Sequence, residues 1–391
     1  MKRTLFILLL LCTTLTAMAQ RSARQRSGGG MESLWDDLSG RNRFEWEYDA
    51  DFLYIFDNRE FAASNGAYTP SMTIHSVVFT PTAGFSIQQN RRVHHRVAAG
   101  IELAHDMGLR SWRELPREVI LYYDAHMRAR KGSFEGVAGV FPRRFLEGTY
   151  SEAFFSDSTK FCDRNLEGML LKWRSDRFYA EMGLDWMGKV TGPQRERFQI
   201  MSAGQWDATP WLSLGWTGSF FHYAGSQVVR GVVDNHLLEP WVKADFSRRT
   251  RWQELSLQAG LMIGYQWDRL QKENHEYPAG CEIVLTARRY SFSLQNTCYF
   301  GDNLMPLYGR QDVSGVTFGH NLFLSHPFYR SPFYDLLECA WEPRISPYLN
   351  LRVAARIHFH DSGFVGWQQQ LTLRLNLDAL RNRDLPAGRC L

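Results

Sequence analysis

Histidine, serine, arginine and carboxylate side chains carry whatever chemistry this chain of 391 residues can do. His75-Ser76 and Ser325-His326 each put a general base next to a hydroxyl. Neighbours on a strand point to opposite faces, so neither pair can form a nucleophile–base dyad with itself. His358 and His360 are two apart and share a face, and His94-His95 are adjacent. A metal centre needs three or four converging ligands, so no metal site is expected. Glu45, Glu47, Asp49 and Asp51 form an acidic row at every second position. Like charges on one strand face repel unless cations or water lie opposite. The candidate cations are Arg128, Arg130, Arg352, Arg356 and Arg374. No nucleophile elbow, phosphate loop, paired-acid motif or cofactor-binding fingerprint occurs, so neither enzymatic activity nor a cofactor is expected.

The elements that must position these residues read as strands. Leu349, Leu351, Val353, Ala355, Ile357 and Phe359 alternate with Asn350, Arg352, Ala354, Arg356, His358 and His360. After a turn at Asp361-Ser362-Gly363, Leu371, Leu373, Leu375 and Leu377 alternate with Gln370, Thr372, Arg374, Asn376 and Asp378. Period-two alternation means a strand whose two faces meet two different solvents. The acidic row alternates in the same way with Phe44, Trp46, Tyr48, Ala50 and Phe52. Further patterns recur at Val97–Leu103, Leu121–Met127, Phe178–Trp186, Leu212–Phe220, Leu255–Trp267 and Val316–Leu324, with a weaker one at Phe134–Phe141. Pro142–Arg164 is polar and irregular and reads as a long external loop.

Composition narrows the class. Aromatics make up 14% of the chain and the net charge is +4. Basic residues are dispersed with no recognised motif, so no nucleic-acid partner is expected. The one long apolar run is at the start: Met1-Lys2-Arg3, then Leu5 to Leu11, then Ala17-Met18-Ala19. A basic region, an apolar stretch and an Ala-x-Ala site predict a Sec signal peptide over 1–19. A lipidated Cys12 is disfavoured because Leu11 precedes it where a small residue belongs. A flexible segment over 20–42, a barrel over 43–380 and a polar tail over 381–391 complete the expected organisation. Cys162, Cys281, Cys298, Cys339 and Cys390 remain after cleavage, an odd and widely spaced set that does not form a disulfide framework.

Strands that alternate over about 10 residues, aromatics near their ends and no apolar helix of membrane length resemble Gram-negative outer-membrane β-barrels of the porin-like type. The resemblance covers Phe44 to Leu380 and rests on pattern. It implies an all-β, antiparallel up-and-down transmembrane barrel of about 16 strands, with 14 or 18 as alternatives. It also implies insertion by the barrel-insertion machinery into outer-membrane lipid. Such barrels end in a strand with a terminal aromatic, whereas this chain closes with Arg389-Cys390-Leu391. The implied function is a channel for passive diffusion of small polar or anionic solutes. The alternative is a non-conducting barrel that serves as a scaffold in secretion or surface-glycan assembly, or as a surface-binding protein. In a closed barrel the first strand meets the last, so the acidic row is expected beside Arg374, with Arg352 and Arg356 one strand further. That arrangement is either a transverse field for solutes or a salt-bridged seam. No interface pattern fixes an oligomeric state.

Overall fold

The computed structural model describes residues 43–62, 68–89, 92–108, 117–271 and 275–376. The expected signal peptide over 1–19, the segment over 20–42 and the tail over 381–391 lie outside the described residues.

Alternation of apolar and polar residues produces long antiparallel strands: β1 (Arg43–Phe61), β2 (Met72–Gln89), β3 (Val93–Asp106), β4 (Arg117–Ala129), β5 (Gly132–Pro142), β6 (Asn165–Arg174), β7 (Phe178–Gly188) and β8 (Arg197–Thr209). The series continues with β9 (Leu212–Tyr223), β10 (Val233–Asp245), β11 (Glu254–Asp268), β13 (Ala279–Arg289), β14 (Phe292–Gly301), β15 (Phe333–Trp341), β17 (Leu349–His360) and β18 (Gly363–Asn376). Two short pieces, β12 (His275–Glu276) and β16 (Arg344–Ser346), pair with β11 and β17 beside the ring. β11 pairs directly with β13 and β15 with β17, and β1 pairs with both β2 and β18. The sheet is thus a closed ring of sixteen long strands. Closure pairs every ladder and leaves no edge, which is what a sheet in hydrocarbon requires.

The outward positions are apolar. Val119, Leu121 and Leu261 are 65%, 54% and 51% exposed, although nothing in aqueous folding favours that. Aromatics flank this band at two levels. Trp46, Trp206, Trp211, Tyr290 and Phe292 stand at the end closed by short turns. Trp186, Phe220, Tyr277, Phe300 and Trp367 stand at the end that carries the longer connections. An apolar band between two aromatic girdles is the surface of a membrane-spanning barrel.

At the long-connection end the interior is packed. The segments 143–164 and 302–332 turn into the ring and meet Phe141, Leu166, Leu170, Met201, Phe221 and Tyr299 in one core. This corrects the expectation that Pro142–Arg164 is external. The segment carries Phe145, Phe154 and Phe155, which bury against the core, and the helical turn α1 (Asp157–Cys162), capped by Ser156. Its backbone amides at Glu147 and Gly148 donate to Glu181 on β7 at 2.8 and 2.9 Å, so the inserted chain does not leave polar groups unpaired. Val316–Leu324 is not a strand. It holds the isolated bridge Gln311–Thr317 and the single turn α2 (Gly319–Leu322), because Phe318, Leu322 and Phe323 pack inward at helical spacing.

Candidate active site at the loop-end rim

Strand β9 continues its outward series beyond Trp216 and Phe220 to His222, its last outward position. Asp234, near the start of β10, is its cross-strand partner. Nδ1 of His222 lies 3.1 Å from Oδ1 of Asp234, with side-chain exposures of 24% and 5%. A carboxylate on Nδ1 holds the ring proton there and leaves Nε2 as an acceptor. Among the described residues Nε2 has no hydrogen-bond partner. The other oxygen of Asp234 takes Nε of Arg269 at 2.7 Å.

Aromatic rings extend from this pair along the rim on both sides. Phe198 on β8 lies 4.8 Å from the His222 ring, and Trp186 on β7 stacks on Phe198 at 5.2 Å. On the other side His236 lies 4.9 Å from Phe220 and 5.8 Å from Tyr265, whose hydroxyl meets Nδ1 of His275 at 3.0 Å. Below lie the outward Leu238, Ile263 and Leu261. The imidazole therefore stands where the apolar band ends and the connections begin. A base at that level can reach a bond that lies between the polar head and the apolar tail of an amphiphile.

The histidine–serine pairs singled out in the sequence are not dyads. His75 faces outward with Nε2 3.0 Å from the Tyr54 hydroxyl, while Ser76 is buried inside and donates to Asp106. Ser325 contacts Met305, whereas His326 stacks on Phe328 and His358. His358 lies between the Tyr334 hydroxyl at 2.8 Å and Gln368 at 2.7 Å. His360 has Ser362 Oγ, at 3.0 Å, and Asp361 Oδ1, at 2.8 Å, on Nδ1, with the same Oγ 3.4 Å from Nε2. A relay needs the hydroxyl and the carboxylate on opposite nitrogens, whereas here the hydroxyl sits nearer Nδ1, which also accepts from the Ser362 amide at 3.0 Å.

The candidate interior charges are placed as follows. Asp51 bonds Arg374 at 3.0 Å and Arg144 at 2.5 Å, with Asp49 3.9 Å from Arg144. Glu47 pairs with Arg96 at 2.7 Å, and Glu45 is exposed near the start of β1. Arg352 bonds Glu338, and Glu342 at 3.1 Å. Arg356 is buried and binds Glu152 and Asp157 of the inserted segment, with Glu338 at 3.1 Å. Arg352 and Arg356 thus meet these carboxylates rather than the acidic row. Arg128 is exposed at the end of β4 and Arg130 lies in the turn that follows, so neither joins the network. Two groups of the inserted segments are displaced from their ordinary titration range. Burial raises Asp157, but Arg356 outweighs it and holds the carboxyl well below the usual range. Burial, helped by His358 and Arg59, pushes His326 well below ordinary histidine.

His222 and Asp234 were not among the sequence candidates. The signal that could have found them is parity: Leu214, Trp216, Gly218, Phe220 and His222 are one series, and a histidine in a lipid-facing register is out of place. The Gly/Ser-containing stretch 224–232 hides the end of β9 and the start of β10.

Fold and surface define an outer-membrane barrel of porin-like type whose loop-side half is filled. Among solved structures the chain is similar to Salmonella typhi OmpF in complex with daunomycin (10% identity, 85% of this chain and 97% of that chain, TM-score 0.49). It is also similar to Pseudomonas aeruginosa OpdL (11% identity, 85% and 99%, TM-score 0.48) and to a loop L8 deletion mutant of Vibrio cholerae OmpT (10%, 85% and 99%, TM-score 0.49). No curated protein matches. The model of the lipid A 3'-O-deacylase-type family matches residues 43–382, and the chain belongs to that family. Membership in an enzyme family overturns the expectation of a chain without enzymatic activity. A site assembled by strand pairing, as His222 and Asp234 are, carries no contiguous catalytic motif.

Proposed function

We propose that this barrel hydrolyses an ester-linked acyl chain of a lipid A-type glycolipid at its loop-end rim. Family membership supports the reaction class. The observation that carries the site is the imidazole of His222, oriented by Asp234 at the edge of the apolar band. His222 Nε2 takes a proton from a water molecule as the water oxygen attacks the ester carbonyl. The tetrahedral adduct then breaks its bond to the sugar oxygen, which receives the proton from the imidazolium. The products are a fatty acid and a free sugar hydroxyl. Asp234 fixes the tautomer and stabilises the imidazolium through Nδ1–H. The apolar band keeps the acyl chain in the bilayer, and the rings of Phe198 and Trp186 flank the base where that chain arrives.

The test is fatty-acid release from vesicles that contain lipid A and the refolded full chain. Wild type releases fatty acid and the His222→Gln variant does not. Equal release by both would remove His222 from the mechanism.

A second reading is a channel for passive diffusion of small polar or anionic solutes. The polar inner wall favours it, with Arg352, Arg356 and Arg374 among its charges. The inserted segments across the loop-side half oppose it. Single-channel recording separates the two: stepwise ohmic openings by wild type support the channel, and a silent inserted barrel removes it.

A further inference from the structure

Asp234 is divided between two partners. Oδ1 meets Nδ1 of His222 at 3.1 Å and Oδ2 meets Nε of Arg269 at 2.7 Å. Arg269 is the first residue beyond β11, anchored by its backbone amide to the Val232 carbonyl at 2.9 Å. Its side chain is 47% exposed, and Cζ lies 5.5 Å from the Trp267 ring centroid. A guanidinium has five N–H donors, and Asp234 engages the one on Nε. Among the described residues the terminal nitrogens make no hydrogen bond. The arrangement leaves a cation at the polar edge of the rim with donors to spare. Its charge is set against the carboxylate that must support the base.

Two demands on one carboxylate compete. While Arg269 neutralises Asp234, the carboxylate is a weaker partner for an imidazolium, because a cation already occupies its other oxygen. A planar guanidinium pairs with phosphate or carboxylate in a bidentate geometry that a single Nε–H bond to Asp234 does not match. We infer that Arg269 is an anion-sensing positioning residue: an anionic group on the glycolipid head draws the guanidinium from Asp234 and frees that carboxylate to support His222. The site then favours esters that carry a phosphate or carboxylate near the scissile bond. No group is transferred in this step; one ion pair is exchanged for another. The inference rests on the hydrolase reading and adds the substrate feature the site selects.

The experiment uses the refolded full chain in vesicles with two matched ester glycolipids, one phosphorylated and one not. Wild type is expected to turn over the phosphorylated ester about tenfold faster in kcat, an ordinary size for coupling between two sites. Arg269→Gln is expected to bring the ratio to about one by raising the rate on the neutral ester towards that on the phosphorylated one, because Asp234 is then free on either substrate, and Arg269→Lys to restore part of the ratio. A merely structural role would lower both rates together. Heat-modifiable gel mobility confirms that each variant is a folded barrel. Inorganic phosphate added with the neutral ester identifies the source of the anion. Acceleration in wild type but not in Arg269→Gln means a free anion suffices, and no acceleration with the lipid ratio intact means the anion must be borne by the lipid. An unchanged ratio in Arg269→Gln, with His222→Gln inactive, overturns the sensor and leaves the hydrolase standing. Full activity in His222→Gln overturns the reading beneath it.

Discussion

Nδ1 of His222 and Oδ1 of Asp234 stand 3.1 Å apart on the outward face of β9 and β10, where side chains in the same register are otherwise apolar or aromatic. A carboxylate at that level costs desolvation free energy unless it is paired, and Arg269 supplies the neutralising charge.

Replacing Asp234 with Asn keeps the shape of the pair but lets Nδ1 accept, which places the ring proton on the wrong nitrogen. Ester hydrolysis is expected to fall by about 10²–10⁴-fold with little change in KM. Initial rates of fatty-acid release on vesicles measure both parameters.

His75 offers a control on the same face of the barrel. Its ring is held by Tyr54 and not by a carboxylate. His75→Gln is expected to leave hydrolysis within about twofold of wild type, since a surface substitution away from the site costs little. A loss comparable to that of His222→Gln, measured in the same assay, would move the site to β1 and β2.

Arg356 anchors the inserted segment through Glu152 and Asp157. Arg356→Ala leaves these buried carboxylates without their shared cation and is expected to destabilise the protein by about 3–5 kcal/mol. Denaturant titration in detergent reads the stability. The segment should also become accessible to protease, whereas wild type stays protected.

His326 makes the packed interior acid-sensitive. Burial holds its folded-state titration point well below the ordinary 6.5, so it is neutral when folded. The unfolded chain binds a proton to it below about pH 6.5, whereas the folded one does not until a lower pH. Its contribution to stability is therefore full above about pH 6.5 and declines as the pH falls. His326→Phe should flatten the slope of unfolding free energy between about pH 6.5 and 5, measured by the same titration.

Period-two alternation made the barrel legible because lipid and a polar interior impose different demands on successive residues. Leu349–His360 and the turn at Asp361-Ser362 read directly from this pattern, as did the pairing that sets Asp51 beside Arg374. Segments that bury themselves inside the ring escape such reading. Pro142–Arg164 is polar in sequence because it must pair with Asp185, Glu181 and Arg356, so it looks like a solvent loop. Val316–Leu324 carries enough apolar residues to imitate a strand while forming one helical turn. The site was illegible for a different reason. His222 and Asp234 are brought together by the β9–β10 hairpin, and neither residue is remarkable until the strand register gives both an outward face.

Hydrolysis in water enriched in ¹⁸O tests the central claim most directly. With lipid A vesicles and wild-type protein, attack of His222-activated water at the carbonyl predicts one ¹⁸O in the released fatty acid and none in the sugar. The His222→Gln barrel, folded by gel mobility, should show no release. Labelled fatty acid appearing at the wild-type rate from that variant, or label found in the sugar hydroxyl, would contradict the account.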